Sequence, residues 1–508
     1  MKRLDVATVL LLALCTAGLL SGLGRLPALT SDEAWVGLYA GRLAALGLFT
    51  PHEMNTYTGP LFGLAIMKMF AALGASVRSL RLFGAGANVL AFVLLAAHLR
   101  RRGGAAAAAW WALALTASVY LLLKSRQAWE CYALQPTLLA LTFWVLDGPA
   151  SWPRAFVLTA LCVVGAQNHF IYLSIPLSLC VLYTARAQRG EPGADAWLRA
   201  AASALGAGAI LFLVKPRLTD AAWSVERVWA LPLFFALPAL SAAAFAAGPW
   251  ERPLLRLLPR RAGAYVFALG LTAFAVWHGV PLWQALSGPT LWKRTFSWDA
   301  PAFLDAPLWL WGTLVLSVAA WRAARAWYGR EGLTSPETTL ALWPAAYAAI
   351  FILFRNTSSF RYYSLIQFLT LASAAAGLAR LPRPDRRWAL ALGVCAAVAA
   401  QAAFWRELRA PADRRPLRFK IGWHAENSLD FARKDAIFAA FDASGACAVG
   451  RQQDSFVSIP LDFHHLMSDP HPCDPARTFT AVQCPDCTRP PFFRWETAPN
   501  SAPGPHGL

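Results

Sequence analysis

Apolar residues run in blocks along the first 404 positions, separated by short polar or basic stretches. Each block approaches the roughly 20 residues that an α-helix needs to cross a bilayer. The pattern predicts spans at 6–23, 79–98, 105–123, 133–147, 153–167, 169–185, 197–214, 230–247, 263–279, 305–321, 338–354, 362–379 and 387–404. The first block, after Met1-Lys2-Arg3, is longer than a signal-peptide core and has no clean small-residue cleavage site behind it. It reads as an uncleaved anchor.

Two intervals are far longer than the rest, 24–78 and 405–508. The first contains apolar stretches at 34–48 and 61–73 with helical spacing but too little length to span. They are expected to lie flat along the membrane surface. Between them, 50–60 is rich in turn formers and polar groups, Tyr57 among them. The second interval is more polar and Pro-rich. A helix is expected at 429–441, short strands at 449 and at 457–461, and disorder beyond 496. The expected architecture is an all-α polytopic membrane protein of about 13 helices (1–404) with a small C-terminal external α/β domain (405–508).

Composition agrees with the pattern. Of the 508 residues 57% are hydrophobic and only 15% charged, with 23 Trp; a soluble chain carries roughly a quarter charged residues. The formal charge of +18 would suit nucleic acid if it were gathered on one face. Instead Lys and Arg fall in short clusters between apolar runs, so no nucleic-acid partner is expected. With Met1 inside, the clusters at 100–102, 154, 186–199, 252–261, 322–330 and 380–387, plus Lys2 and Arg3, hold about 20 of the 46 basic residues on the cytoplasmic side. An odd number of spans then puts the tail outside. Cys15, Cys131, Cys162, Cys180 and Cys395 read as apolar fillers. The four tail cysteines, Cys447, Cys473, Cys484 and Cys487, are disulfide candidates in an oxidising compartment. Cys484-Pro485-Asp486-Cys487 also has the spacing of a redox motif or, with His464, His465 and His471, of a zinc site. No P-loop, dinucleotide fingerprint or internal repeat is visible.

The candidate chemistry begins at Thr30-Ser31-Asp32-Glu33-Ala34-Trp35, two adjacent carboxylates directly after the first apolar block. Carboxylates at membrane depth commonly line a cavity or substrate path; just outside a span they are also ordinary loop residues. Asp-Glu at the start of a long first loop, two surface helices, Gly59-Pro60-Leu61-Phe62, and a second span opening Ser79-Leu80-Arg81-Leu82-Phe83 together resemble the membrane glycosyltransferases of the GT-C fold. The similarity is to the bacterial members of the dolichyl-phosphate-mannose protein mannosyltransferase family, a group also similar to the lipid A aminoarabinose transferase. It covers 1–404 in architecture and 30–85 in motif.

The resemblance implies inverting transfer of a sugar from a polyprenyl-phosphate donor to an acceptor hydroxyl at the outer face of the bacterial cytoplasmic membrane. A hydroxyl is a weak nucleophile, so a carboxylate must take its proton during attack. Asp32 matches the family's first acidic position and is the expected base; Glu33 is expected to assist, to bind the acceptor or to be structural. The leaving phosphate needs fixed cations. External-side candidates are Arg361, Arg126, Lys124, Lys215 and Arg217, with Lys293, Arg294 and Arg355 behind them; each is equally readable as a snorkelling interfacial anchor. Tyr57, His169, Glu130 and Tyr362 are expected to bind substrate. Part of the class uses a divalent cation, for which Glu33 and His169 would be the ligands here. The acceptor, whether lipid, glycan or protein, is not readable. The competing reading is a transporter or flippase of a lipid-linked sugar or polar solute, which would need no base.

Overall fold

The computed structural model describes residues 5–26, 29–46, 58–188, 190–219, 230–251, 343, 364–409, 428–429, 431–450, 455–467, 473–483 and 493–499. The expected spans from 6 to 247 and the last two coincide with helices, while those at 263–279, 305–321 and 338–354 lie outside the described residues, Trp343 apart. The bundle contains α1 (Val6–Leu20), α4 (Val77–Ala117), α5 (Val119–Lys124), α6 (Glu130–Ala133), α7 (Gln135–Val145), α8 (Trp152–Asn168), α9 (Ser174–Gln188), α10 (Ala194–Thr219), α11 (Ala230–Ala246), α12 (Ser364–Leu378) and α13 (Arg383–Arg409). A 3-10 turn, Phe170–Leu173, leads into α9. Because α13 continues to Arg409, the boundary expected at 404 falls inside its last turns.

The expected span 79–98 and most of 105–123 fall in α4, and the rest of the second lies in α5. Gly104 has φ 81, a backbone region open to glycine, and it reverses the chain after Arg100-Arg101-Arg102. Beyond it the second half folds back, since Trp111 Nε1 donates to the Phe92 carbonyl, 19 residues away, at 3.1 Å. A straight helix would hold those two residues roughly 28 Å apart.

Helices Val77–Ala117, Phe170–Gln188 and Pro384–Arg406 are long and apolar enough to cross a membrane. Around them Val6, Leu10, Leu213, Leu240, Leu390 and Val398 are exposed large aliphatics on helix faces. Contiguous apolar surface of this kind is stable only against lipid or another apolar partner. Inside, Leu19, Leu95, Leu99, Trp111, Leu139, Leu179, Phe368 and Phe404 share one core.

The two short helices expected in the first long interval are present as α2 (Ser31–Leu46) and α3 (Leu61–Leu73). The tail supplies β2 (Ser428–Leu429), α14 (Phe431–Ser444), β3 (Ala446–Val449), α15 (Ser455–Met467), β4 (Asp474–Gln483) and β5 (Phe493–Pro499). β3 pairs parallel with β4 and β4 antiparallel with β5. Two expectations fail here. The stretch 457–461 is helical within α15, not a strand: Leu461 and Phe463 bury on neighbouring elements, and tertiary packing overrides β-branched local preference. The stretch beyond 496 is not disordered at its start, because β5 extends to Pro499 as the partner of β4.

β1 (Leu29–Thr30) pairs antiparallel with β2, Leu29 opposite Leu429 and Thr30 opposite Ser428. The tail thus meets the chain immediately before Asp32. A second hydrophobic cluster surrounds that junction: Ala34, Val36, Phe62, Ile66 and Leu80 from the first interval and α4 pack with Ile437, Phe438, Phe441, Leu461, Phe463 and Phe479 from the tail.

Candidate active site

Thr30 begins a reciprocal cap for α2. Its Oγ1 accepts from the Glu33 backbone N–H at 3.2 Å, and Glu33 Oε2 accepts from the Thr30 N–H at 3.2 Å. This is the Thr-x-x-Glu capping box, which satisfies otherwise orphaned donors at a helix start. Glu33 does more than cap. Arg81 donates to it through Nε and Nη2, each at 2.8 Å, and the Ala128 N–H donates to Oε1 at 2.9 Å. Glu33 and Arg81 are both fully buried. A buried carboxylate survives only with such a complete set of donors.

The pairing explains Arg81 at the start of a span. Its third contact, from Nη1, is to the Leu23 carbonyl at 2.9 Å. Arg126 completes the same junction, donating to the carbonyls of Leu26 (2.9 Å), Ser21 (2.6 Å) and Gly18. Two guanidiniums therefore serve the carbonyl-rich C-terminal end of α1, where helix geometry leaves acceptors without partners. Burial, and then the neighbouring Arg81 charge, push the Arg126 pKa down to about 9, so it keeps its proton at neutral pH.

Asp32 sits one residue from this knot. Successive residues of an α-helix point about 100° apart, and Asp32 is half-buried where Glu33 is sealed.

The turn after α5 lies against this junction, because the Glu33–Ala128 bond draws it in. Asn88, inside α4, holds the turn by donating to the Ser125 and Tyr132 carbonyls at 3.1 and 2.6 Å. On the turn, buried Lys124 lies over the rings of Trp129 and Tyr132, at 5.9 and 5.5 Å. Glu130 Oε1 accepts from Thr58 Oγ1 at 2.7 Å. Thr58 bridges to His169, and Asn168 Nδ2 donates to the Glu130 carbonyl at 2.8 Å. His169 Nδ1 accepts from the Ile171 N–H at 3.2 Å, which leaves the proton of a neutral ring on Nε2.

Of the residues expected from the sequence, Asp32, Glu33, Lys124, Arg126, Glu130 and His169 come together at this one end of the bundle. Lys215 and Arg217 lie near the end of α10 with no described side-chain position. Tyr57, Arg361 and Tyr362, like Lys293, Arg294 and Arg355, lie outside the described residues. A metal on Glu33 and His169 does not fit: both Glu33 oxygens face Arg81, a cation already in place. Among the described residues no group of three His, Cys, Asp or Glu could hold a metal ion. Cys447 and Cys473 form a disulfide, whereas Cys484 and Cys487 lie outside the described residues. Thr30, Thr58 and Asn88 were not anticipated. The capping-box spacing and a polar residue inside an apolar span were the signals that could have found the first and last.

The opposite end of the bundle is distinct. There Arg102 Nε bonds Asp147 at 2.6 Å, with His98 3.5 Å from the same carboxylate, and Arg186 bonds Glu191 at 2.6 Å. α4 and α7 run between the two ends, since Arg81 and Gln135 contact Glu33 and His169 while Arg102 and Asp147 contact each other. These basic connections occupy the end that the charge pattern assigned to the cytoplasm.

No protein-family model and no curated protein matches the chain. Solved structures do, among them these three. ArnT from Cupriavidus metallidurans in the apo state is 14% identical, with a TM-score of 0.41 over 91% of this chain and 84% of that one. ArnT bound to undecaprenyl phosphate is 12% identical, with a TM-score of 0.40 over 94% and 92%. The Archaeoglobus fulgidus oligosaccharyltransferase in complex with Zn and sulfate is 14% identical, with a TM-score of 0.49 over 94% of this chain and 68% of that one. All three TM-scores lie below 0.5.

Proposed function

We propose that this chain is a membrane glycosyltransferase that moves a sugar from a polyprenyl-phosphate donor to an acceptor hydroxyl at the outer face of a bacterial cytoplasmic membrane. The helices through α13 form the transferase, and the tail beyond it an external domain. The observation that carries the reading is the division within the acidic pair. Glu33 is buried and bonded at both oxygens, while Asp32 beside it is half-buried at the end where Glu130, His169 and Lys124 gather.

In the proposed reaction Asp32 takes the acceptor's proton as the hydroxyl oxygen attacks the anomeric carbon from the face opposite the phosphate. The carbon–oxygen bond to the phosphate breaks, the polyprenyl phosphate leaves as an anion and the configuration inverts. Lys124, and Lys215, Arg217 and Arg361 where they reach, stabilise the developing phosphate charge. Arg126, already donating to three carbonyls, contributes its field rather than direct bonds. His169 and Glu130 bind hydroxyls of the sugar or acceptor.

The test is mass spectrometry of lipid-linked sugars and envelope glycans in cells with the intact chain or Asp32→Asn at equal protein level. Loss of a general base costs about 10²–10⁴ in rate, so one polyprenyl-phosphate sugar should accumulate as its matching modification disappears. Unchanged profiles in Asp32→Asn, with a changed deletion strain, would favour the transporter reading.

A further inference from the structure

The tail does not merely follow the bundle; it walls the helix that carries Asp32. Glu33, Gly37 and Gly41 recur every four residues and so share one face of α2. That face receives α15. A Cβ on Gly37 would lie 2.2 Å from the Phe463 ring, and one on Gly41 2.8 Å from Leu466. Phe463, fully buried, is also stacked on Phe70 of α3, with ring centroids 6.1 Å apart. α2 is thus held from its N-terminal cap, by the β1–β2 pairing, and along its Glu33 face, by α15.

What holds α15 is less secure. It has 13 residues with Pro460 inside, and an isolated helix of that length lacking an internal N–H is marginal. Its flanking segments meet at β3 and β4, where a strand of only four residues supplies the pairing. Across that pairing lies the disulfide Cys447–Cys473, with a sequence separation of 26 that encloses the whole of α15. Closing such a loop removes conformations that the free segment would otherwise sample.

We propose that the Cys447–Cys473 disulfide is a positioning element for the site: it keeps Phe463 and Leu466 seated on α2, and opening it releases the helix that bears Asp32. The inference rests on the transferase reading for its effect on activity but not for its effect on α2. A dithiol reductant opens the bond by giving two electrons and two protons, yielding two thiols while it closes into its own disulfide. The transferase is then active only where that bond persists, in an oxidising compartment.

The experiment uses the full chain in lipid nanodiscs, with and without dithiothreitol, alkylation and mass spectrometry confirming that Cys447 and Cys473 are open. Hydrogen exchange is read at 29–46 and 455–467, with sugar transfer alongside. Opening should raise exchange in both segments about tenfold, reversibly on reoxidation, as for a local unfolding made easier. Transfer should fall about tenfold or more, the scale of a misplaced catalytic group. The Cys484→Ser/Cys487→Ser variant should respond like the parent, which assigns the effect to the enclosing pair. The Cys447→Ser/Cys473→Ser variant should exchange fast without reductant. Unchanged exchange at 29–46 with the two thiols open overturns the proposal, as does faster exchange with undiminished transfer. If exchange rises but even the oxidised chain transfers no sugar, the coupling of disulfide to α2 stands and the transferase reading falls.

Discussion

The hydrophobic core of the bundle and the cluster at its Asp32 end are built on different terms. The bundle core is mostly Ala, Leu, Phe and Trp with a few Ile, Cys and Tyr, packed by apolar contact. The cluster at the Asp32 end includes Ala128, whose N–H joins the buried Glu33–Arg81 pair in one hydrogen-bonded knot. Apolar packing accepts any side chain of suitable volume. A buried carboxylate accepts only partners that supply its donors in place. Substitutions in the bundle core and in the knot at the Asp32 end should therefore differ in cost.

The largest effect is expected from Arg81→Leu. It leaves the Glu33 charge buried without a cation, at a cost of about 3–5 kcal/mol, visible as a lower melting temperature and loss of exchange protection at 29–46. The double substitution Glu33→Leu/Arg81→Leu should recover much of that stability without recovering transfer. If the single change leaves both melting and protection intact, the knot is not what orders α2.

A middle effect is expected at the contact between α2 and the tail. Gly37→Val drives a side chain into Phe463 and should cost about 1–3 kcal/mol. Limited proteolysis should then cleave the tail sooner while the bundle helices keep their protection, and Phe463→Ala in the same chain should reverse part of the change. Equal loss of protection in bundle and tail would mean that the two clusters are one cooperative unit.

The smallest belongs to the opposite end. Arg102 is 24% exposed, and His98 and Arg101 also face Asp147. Arg102→Ala should cost about 1 kcal/mol or less and leave transfer in membranes unchanged. A fall in transfer as deep as that of Arg81→Leu would break the separation of the two ends.

The scaffold was legible from hydropathy because a membrane helix announces itself locally, as did α2, α3 and the reversal at Arg-Arg-Arg-Gly-Gly. The acidic pair was legible too, but not the difference between its members. Glu33's partner lies 48 residues away on another helix and its third donor 95 residues away, distances that no periodicity encodes. The strand expected at 457–461 is instead part of α15, whose Phe463 and Leu466 lie against Gly37 and Gly41 of α2, a contact no local pattern encodes. The same contact explains two glycines in a helix, where glycine is locally unfavourable.

By itself the sequence determined that this is a multi-helix membrane chain, with adjacent carboxylates and two short apolar helices after the first span and an even set of tail cysteines. Those properties follow from side-chain hydrophobicity and helix period, which act over one or two turns. The tertiary structure decided which carboxylate is sealed and which is half-open, that Cys447 pairs with Cys473, and that Ser428–Leu429 of the tail pair with Leu29–Thr30. Hydrogen bonds and close packing act only between groups brought together, and in this chain folding brings those groups together from opposite ends of the sequence.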